Sequence, residues 1–118
     1  QPGAMPRVRE ALAQLASDAR ADGARPLLVL SPMLSDWESY PWSEVHARVR
    51  AAGERAGFTV VDPLPAWRAQ RREPRSMRLP GDRLHYGESG TRALAEFIAE
   101  AVASSGAPGA TVSAPAQR

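Results

Sequence analysis

Three features of the sequence predict an α/β fold built on a parallel sheet. Segments with apolar residues at helical spacing alternate with short apolar runs. Two of those runs, Pro26-Leu27-Leu28-Val29-Leu30-Ser31 and Phe58-Thr59-Val60-Val61-Asp62, are separated by one helix-length segment. That spacing is a βαβ unit, whose strands run parallel and whose crossover is right-handed. The first run holds four consecutive apolar residues, which is how a strand covered on both faces reads.

Taken in order, residues 1–6 read as a tail or a cut end. Pro6 suits a first helical position. Val8, Leu12, Leu15, Ala16 and Ala19 then recur at helical spacing, with Arg9, Glu10, Asp18 and Arg20 on the other side. A helix over 7–22 follows, closed near Gly23. After the first strand, Ser31 to Glu38 is a loop. Trp42, Val45, Val49, Ala52 and Ala56 share one face of a second helix over 42–56, ended by Gly57. Between Pro63 and Pro80 four prolines interrupt any regular element, and only 66–69 suggests a helical turn. A last helix spans 88–103, capped by Gly87, with Leu94, Phe97, Ile98, Ala101 and Val102 facing inward. From 104 to 118 Ser, Gly, Ala and Pro dominate, and a flexible tail is expected. Two parallel strands cannot cover both faces and both edges alone. The sheet is therefore expected to continue in an N-terminal half outside this chain, or in another copy.

Composition narrows the function classes. The chain has 118 residues, the size of one domain or a part of one, and is 43% hydrophobic, enough for a core. All 15 basic residues are Arg, yet 13 acidic residues are mixed among them and the formal charge is only +2. Nucleic-acid binding is not expected from that mixture; it would require an arginine stripe along one face. Cysteine is absent, which excludes disulfides, thiol catalysis and Cys-based metal sites and leaves the compartment open. No apolar run approaches the length of a membrane span.

The chemistry-bearing stretch is Leu79-Pro80-Gly81-Asp82-Arg83-Leu84-His85-Tyr86-Gly87-Glu88-Ser89-Gly90. An Asp and a His three apart, on a turn before a helix, can present an oriented imidazole. The carboxylate holds one ring nitrogen, and the other is free to take a proton. A plain turn closed by an Asx hydrogen bond would need the same residues. In an open α/β sheet ligands bind at the carboxyl ends of the strands. The loop after the first strand carries Ser31, Met33, Leu34 and Trp37; the loop after the second carries Asp62, Leu64 and Trp67. Ser31, Met33, Trp37 and Trp67 are the candidate substrate contacts, with core packing as the other reading of the tryptophans.

Gly81-Asp82-Arg83-Leu84-His85-Tyr86-Gly87-Glu88-Ser89-Gly90, followed by an Ala/Leu-rich terminal helix, resembles the last sequence block of the SGNH (GDSL-like) hydrolases. The order of elements over residues 7–103 is similar to the later half of such an enzyme. The resemblance implies a flavodoxin-like three-layer α/β/α sandwich, no cofactor and no metal. It also implies a small-molecule or glycan acyl ester as substrate. It gives His85 the role of general base and Asp82 that of its orienting partner. The family's Gly-Asp-Ser nucleophile block and its oxyanion-hole Gly and Asn blocks are not found here, and the chain holds no Asn. The nucleophile is therefore expected on a segment outside the chain. Ser31 is a poor substitute, because Pro32 has no N–H to offer an oxyanion. Gly87-Glu88-Ser89-Gly90 lacks the second glycine of a nucleophile elbow, Thr91 standing in its place. Ser35, Ser39 and Ser43 read as loop and helix-start residues, and His46 as a helix-surface histidine. The arginines at 68–78 read as a solvated loop or as a preference for an anionic substrate or polysaccharide. A non-catalytic α/β interaction module, or a degenerate hydrolase fragment, is the alternative from a different class.

Overall fold

A computed structural model of the chain describes residues 3–105. It is a mixed α/β structure of two compact units, 3–30 with 42–61, and 31–41 with 62–105. The first unit contains helix α1 (Ala4–Ala21), strand β1 (Leu27–Val29), helix α2 (Ser43–Ala56) and strand β2 (Thr59–Val61). The strands pair in parallel, Leu27 opposite Thr59 and Val29 opposite Val61, and the ladder continues as Leu30 N–H donates to Val61 O. The βαβ unit read from the spacing is thus present as a two-stranded sheet.

Helix α2 comes close to the sheet at Gly53, where an added Cβ would meet Leu28 and Val60. Ala52 and Gly53 are its buried residues, while Trp42 and Val45, expected inward, are exposed. Helix α1 likewise buries Leu12 and Ala16 and leaves Leu15 out. Helical periodicity identifies an apolar face but does not say how much of it a small sheet can cover. Leu27, Leu28 and Val29 are only half-buried, where the sequence suggests a strand covered on both sides. Helix α1 also starts at Ala4, inside the stretch expected as a tail; alanine favours helix, and Pro6 is tolerated in the first turn, where its missing N–H has no intrahelical partner.

The second unit holds α3 (Leu64–Ala69), α4 (Pro74–Met77) and α5 (Glu88–Ser104) around its own core. Leu34, Trp37, Tyr40, Leu64, Trp67, Met77 and Ala93 are buried together. The short α4 breaks the irregular stretch predicted there. The Glu73 carboxylate accepts the Arg75 N–H, and Pro74 occupies the first turn, a start signal readable in Glu73-Pro74. Helix α5 opens at Gly87 and runs to Ser104, one residue past its expected end. An added Cβ at Gly90 would overlap the Met77 carbonyl, so α5 approaches the α4 backbone where only glycine fits. Residues 106–118, most of the expected flexible tail, lie outside the described residues. No helix among the described residues is long and apolar enough to cross a membrane.

The carboxyl ends of α1, α2 and α3 are closed alike. At α1 and α2 the carboxyl end forms a Schellman motif, with Ala24 N–H on Ala19 O and Phe58 N–H on Gly53 O. The left-handed residue there is Gly23 (φ 77°) or Gly57 (φ 99°). Helix α3 has the same motif, Arg72 N–H on Trp67 O and Arg71 N–H on Arg68 O. Its left-handed residue is Arg71, at φ 54°. A Cβ in that region costs about 1 kcal/mol. Arg71→Gly should therefore raise the stability of this unit by about 0.5–1 kcal/mol, read as a higher urea midpoint.

Candidate active site

The Asp82–His85 turn is built locally and then anchored. Leu79-Pro80-Gly81-Asp82 closes with Asp82 N–H on Leu79 O at 3.0 Å, and Gly81 has φ 75°. Proline second and a positive-φ glycine third are the requirements of a type II turn. The loop is pinned at its base by an antiparallel bridge between Arg78 and Tyr86, made by Leu79 N–H on His85 O and Gly87 N–H on Met77 O. Two backbone hydrogen bonds thus hold the ends of the loop together.

At the tip the Asp82 carboxylate has a full set of partners. Oδ1 accepts the backbone N–H groups of Leu84 (2.6 Å) and His85 (2.9 Å), and Oδ2 lies 2.8 Å from His85 Nδ1. The Asx turn and the oriented imidazole, which the sequence leaves as alternatives, are one structure. Asp82 organises the backbone with one oxygen and holds the ring with the other. Its carboxyl is held well below the usual carboxylate range, chiefly by the His85 backbone N–H, then by that of Leu84 and by the His85 ring. The His85 side chain is 72% exposed and that of Asp82 30%. Among the described residues, Nε2 of His85 has no partner, so the outer nitrogen faces solvent while the inner one is held.

A lowered carboxylate pKa sets the direction of the acid response. The tie favours the folded turn fully above about pH 4, the value of a free Asp, and is lost as pH falls below that toward the lowered native value. In an NMR titration the Asp82 carboxyl carbon should stay unmoved on acidification through about pH 4, and the Leu84 and His85 amide signals should move with it only in stronger acid. A midpoint near pH 4 would show an untied carboxylate.

The other candidates separate by burial. Trp67 is 1% exposed and Trp37 6%, so both pack in the core and offer almost no surface to a substrate. Their rings lie 6.4 Å apart, and Trp67 is also 6.4 Å from Tyr86. Trp37 Nε1 donates to Arg72 O at 2.6 Å, and the Arg68 guanidinium donates back to Trp37 O through Nε at 2.9 Å and a second nitrogen at 2.5 Å. One hydrogen bond at the ring N–H and two at the residue's own carbonyl fix Trp37 as a packing element. Met33 is half-buried against this core, its N–H donating to Tyr40 Oη. Ser31 is exposed at the start of the segment.

The loop after β1, the segment after β2 and the Asp82–His85 turn are brought together within the second unit. Tyr86, next to His85, makes the join: its hydroxyl donates to Pro32 O at 2.6 Å and its ring meets Trp67. Burial pushes the Tyr86 phenol well up from its ordinary value, with a smaller contribution from Tyr40. Nothing in the sequence marks Tyr86 as this anchor beyond its place beside His85.

The described serines are occupied elsewhere or apart. The Ser89 hydroxyl donates to Ser76 O, that of Ser76 to Glu73 O, and that of Ser39 to Asp36. None of the described serine hydroxyls hydrogen-bonds His85. Among the described residues no three His, Asp or Glu side chains gather as a metal site requires. Comparison with protein-family models, with curated proteins and with solved structures finds no match.

Proposed function

We propose that this chain supplies the Asp–His pair of a serine ester hydrolase of the SGNH type. The nucleophilic serine and the oxyanion donors would stand on a segment outside it. The observation that carries the reading is His85, held at Nδ1 by an ionised Asp82 and open at Nε2. In acyl transfer the serine oxygen bonds to the ester carbonyl carbon as His85 takes the serine proton. The carbon–alcohol bond then breaks and the proton passes from His85 to the departing alcohol. Water, deprotonated by the same nitrogen, releases the acid and restores the serine. Asp82 keeps the proton of the resting ring on Nδ1 and stabilises the imidazolium.

In this reading the two strands belong to a larger parallel sheet in a three-layer α/β/α sandwich. The half-exposed side chains of Leu27, Leu28 and Val29 support it, because further apolar cover would bury them. A non-catalytic α/β interaction module is the second reading, favoured by the lack of a serine hydroxyl on His85 among the described residues. The two separate in one experiment: hydrolysis of p-nitrophenyl acetate by the protein joined to its serine-bearing segment, with His85 intact and replaced by alanine.

A further inference from the structure

Beside the Asp82–His85 turn lies an open cleft of about 1250 Å³, formed wholly within the second unit. Arginine is its dominant lining residue, at 68, 71, 72, 75, 78 and 83. Asp36, Glu38 and Glu73 also line it, so the lining carries an excess of three positive charges (six minus three). Two of those carboxylates are engaged with their own loops: Asp36 accepts the Glu38 N–H and the Ser39 hydroxyl, and Glu73 the Arg75 N–H. Arg68 is committed to Trp37 O and Arg72 to Gln70. The guanidinium groups of Arg71, Arg75, Arg78 and Arg83 have no acidic partner among the described residues. Arg83, between Asp82 and His85 in sequence, joins the cleft to the turn, and with Arg75, Arg78 and Asp82 it also lines a smaller adjoining hollow.

Arg71 provides an independent pointer. It holds the left-handed position that glycine fills at the other two Schellman motifs, and its side chain lines the cleft. Backbone strain gathers at functional positions, and here it falls on a residue that lines the cleft.

We propose that this cleft binds an acidic oligosaccharide, a chain of sugars bearing carboxylates, and presents its acyl esters to His85. The proposal rests on the ester-hydrolase reading for the choice of a glycan: such a ligand combines repeated anions with esterified hydroxyls. The cleft exceeds the 300–1,000 Å³ or so usual for one small molecule, which suits several sugar units. Single-stranded nucleic acid is the less favoured polyanion, since it needs exposed aromatic rings to stack its bases and Trp37, the aromatic residue lining the cleft, is buried.

The test is binding of hexagalacturonate to the full chain by calorimetry, against neutral maltohexaose and a thymidine oligonucleotide. Hexagalacturonate should bind, maltohexaose should not, and the affinity should fall with added salt. Replacing Arg71, Arg75, Arg78 and Arg83 by Gln should weaken binding about 30-fold, at a few-fold per exposed charge. The double variant R71Q/R75Q, at two exposed positions, should lose about fivefold and serves if the fourfold variant does not fold. Arg71→Gly should lose affinity while gaining thermal stability. Equal binding of maltohexaose, tighter binding of the oligonucleotide, or unchanged affinity in the arginine variants would overturn the proposal. A chain that binds the acid glycan but whose complete protein hydrolyses no ester overturns the hydrolase reading alone. A complete protein that hydrolyses esters without binding the acid glycan overturns this proposal alone.

Discussion

If His85 is the proposed base, His85→Ala in the protein joined to a serine-bearing segment should lower kcat for ester hydrolysis by about 10³–10⁴-fold, with little change in KM. The ring is 72% exposed, and its side-chain hydrogen-bond partner among the described residues is Asp82. Its removal therefore leaves the core untouched, and the thermal midpoint should stay within a degree or two. A loss of rate without a loss of fold is the signature of a proton carrier. Asp82 should behave differently because its two oxygens have different tasks. Asp82→Asn can keep an acceptor for the Leu84 and His85 amides, so the turn persists, but it no longer stabilises the imidazolium or enforces the tautomer. Asp82→Ala removes the turn's closure as well, so its loss should include disorder at the loop tip, visible as rapid amide exchange at Leu84 and His85. If His85→Ala hydrolyses ester at the wild-type rate, His85 is not the base and the interaction-module reading takes its place.

Local interactions were the legible part. The parallel pairing of β1 and β2 follows from run length and spacing, and the structure has both strands within the predicted segments. Asp82–His85 is legible for the same reason: Pro80-Gly81 fixes the turn, and an Asp reaches backbone amides two and three residues on without help from elsewhere in the chain. The places of Trp37 and Trp67 are settled by contacts across 30 residues or more, such as Arg68 to Trp37 O, and spacing does not encode those. An aromatic residue in a loop reads equally as substrate wall and as core; only the pairing of its N–H with the Arg72 carbonyl decides. Helix α4 is not legible in the sequence because prolines at 63, 65, 74 and 80 suggest irregularity as a group, although Pro74 singly is a helix start. The basic stretch at 68–78 is legible, but which of its arginines stay available in the cleft is not. Arg68 and Arg72 are diverted to carbonyl and amide partners, while Arg83, from a separate segment, joins the remaining cations.

Trp67→Ala should be the most damaging single change to the fold, lowering stability by about 3–5 kcal/mol. Trp67 is 1% exposed and contacts rings on two other segments, Trp37 in the loop after β1 and Tyr86 beside the Asp82–His85 turn. Alanine leaves a cavity on the α3 helix that the surroundings cannot fill, because Trp37 is fixed at its N–H and its carbonyl by Arg72 and Arg68. Total stability of about 5–15 kcal/mol is usual for a domain, so the variant should populate unfolded protein well below the wild-type denaturation midpoint. Urea unfolding followed by far-UV circular dichroism measures this without relying on the deleted fluorophore. Trp67→Phe retains a ring toward Tyr86 and should lose about half as much. The functional consequence passes through Tyr86. Its hydroxyl holds Pro32 O and its backbone bridges Arg78, so a displaced Tyr86 moves His85, the next residue. If the proposed hydrolase reading holds, Trp67→Phe should therefore lower kcat while the Asp82 carboxyl stays depressed, since that tie is made within the turn itself. A Trp67→Ala chain as stable as the wild type would show that the three rings do not form the core assigned to them.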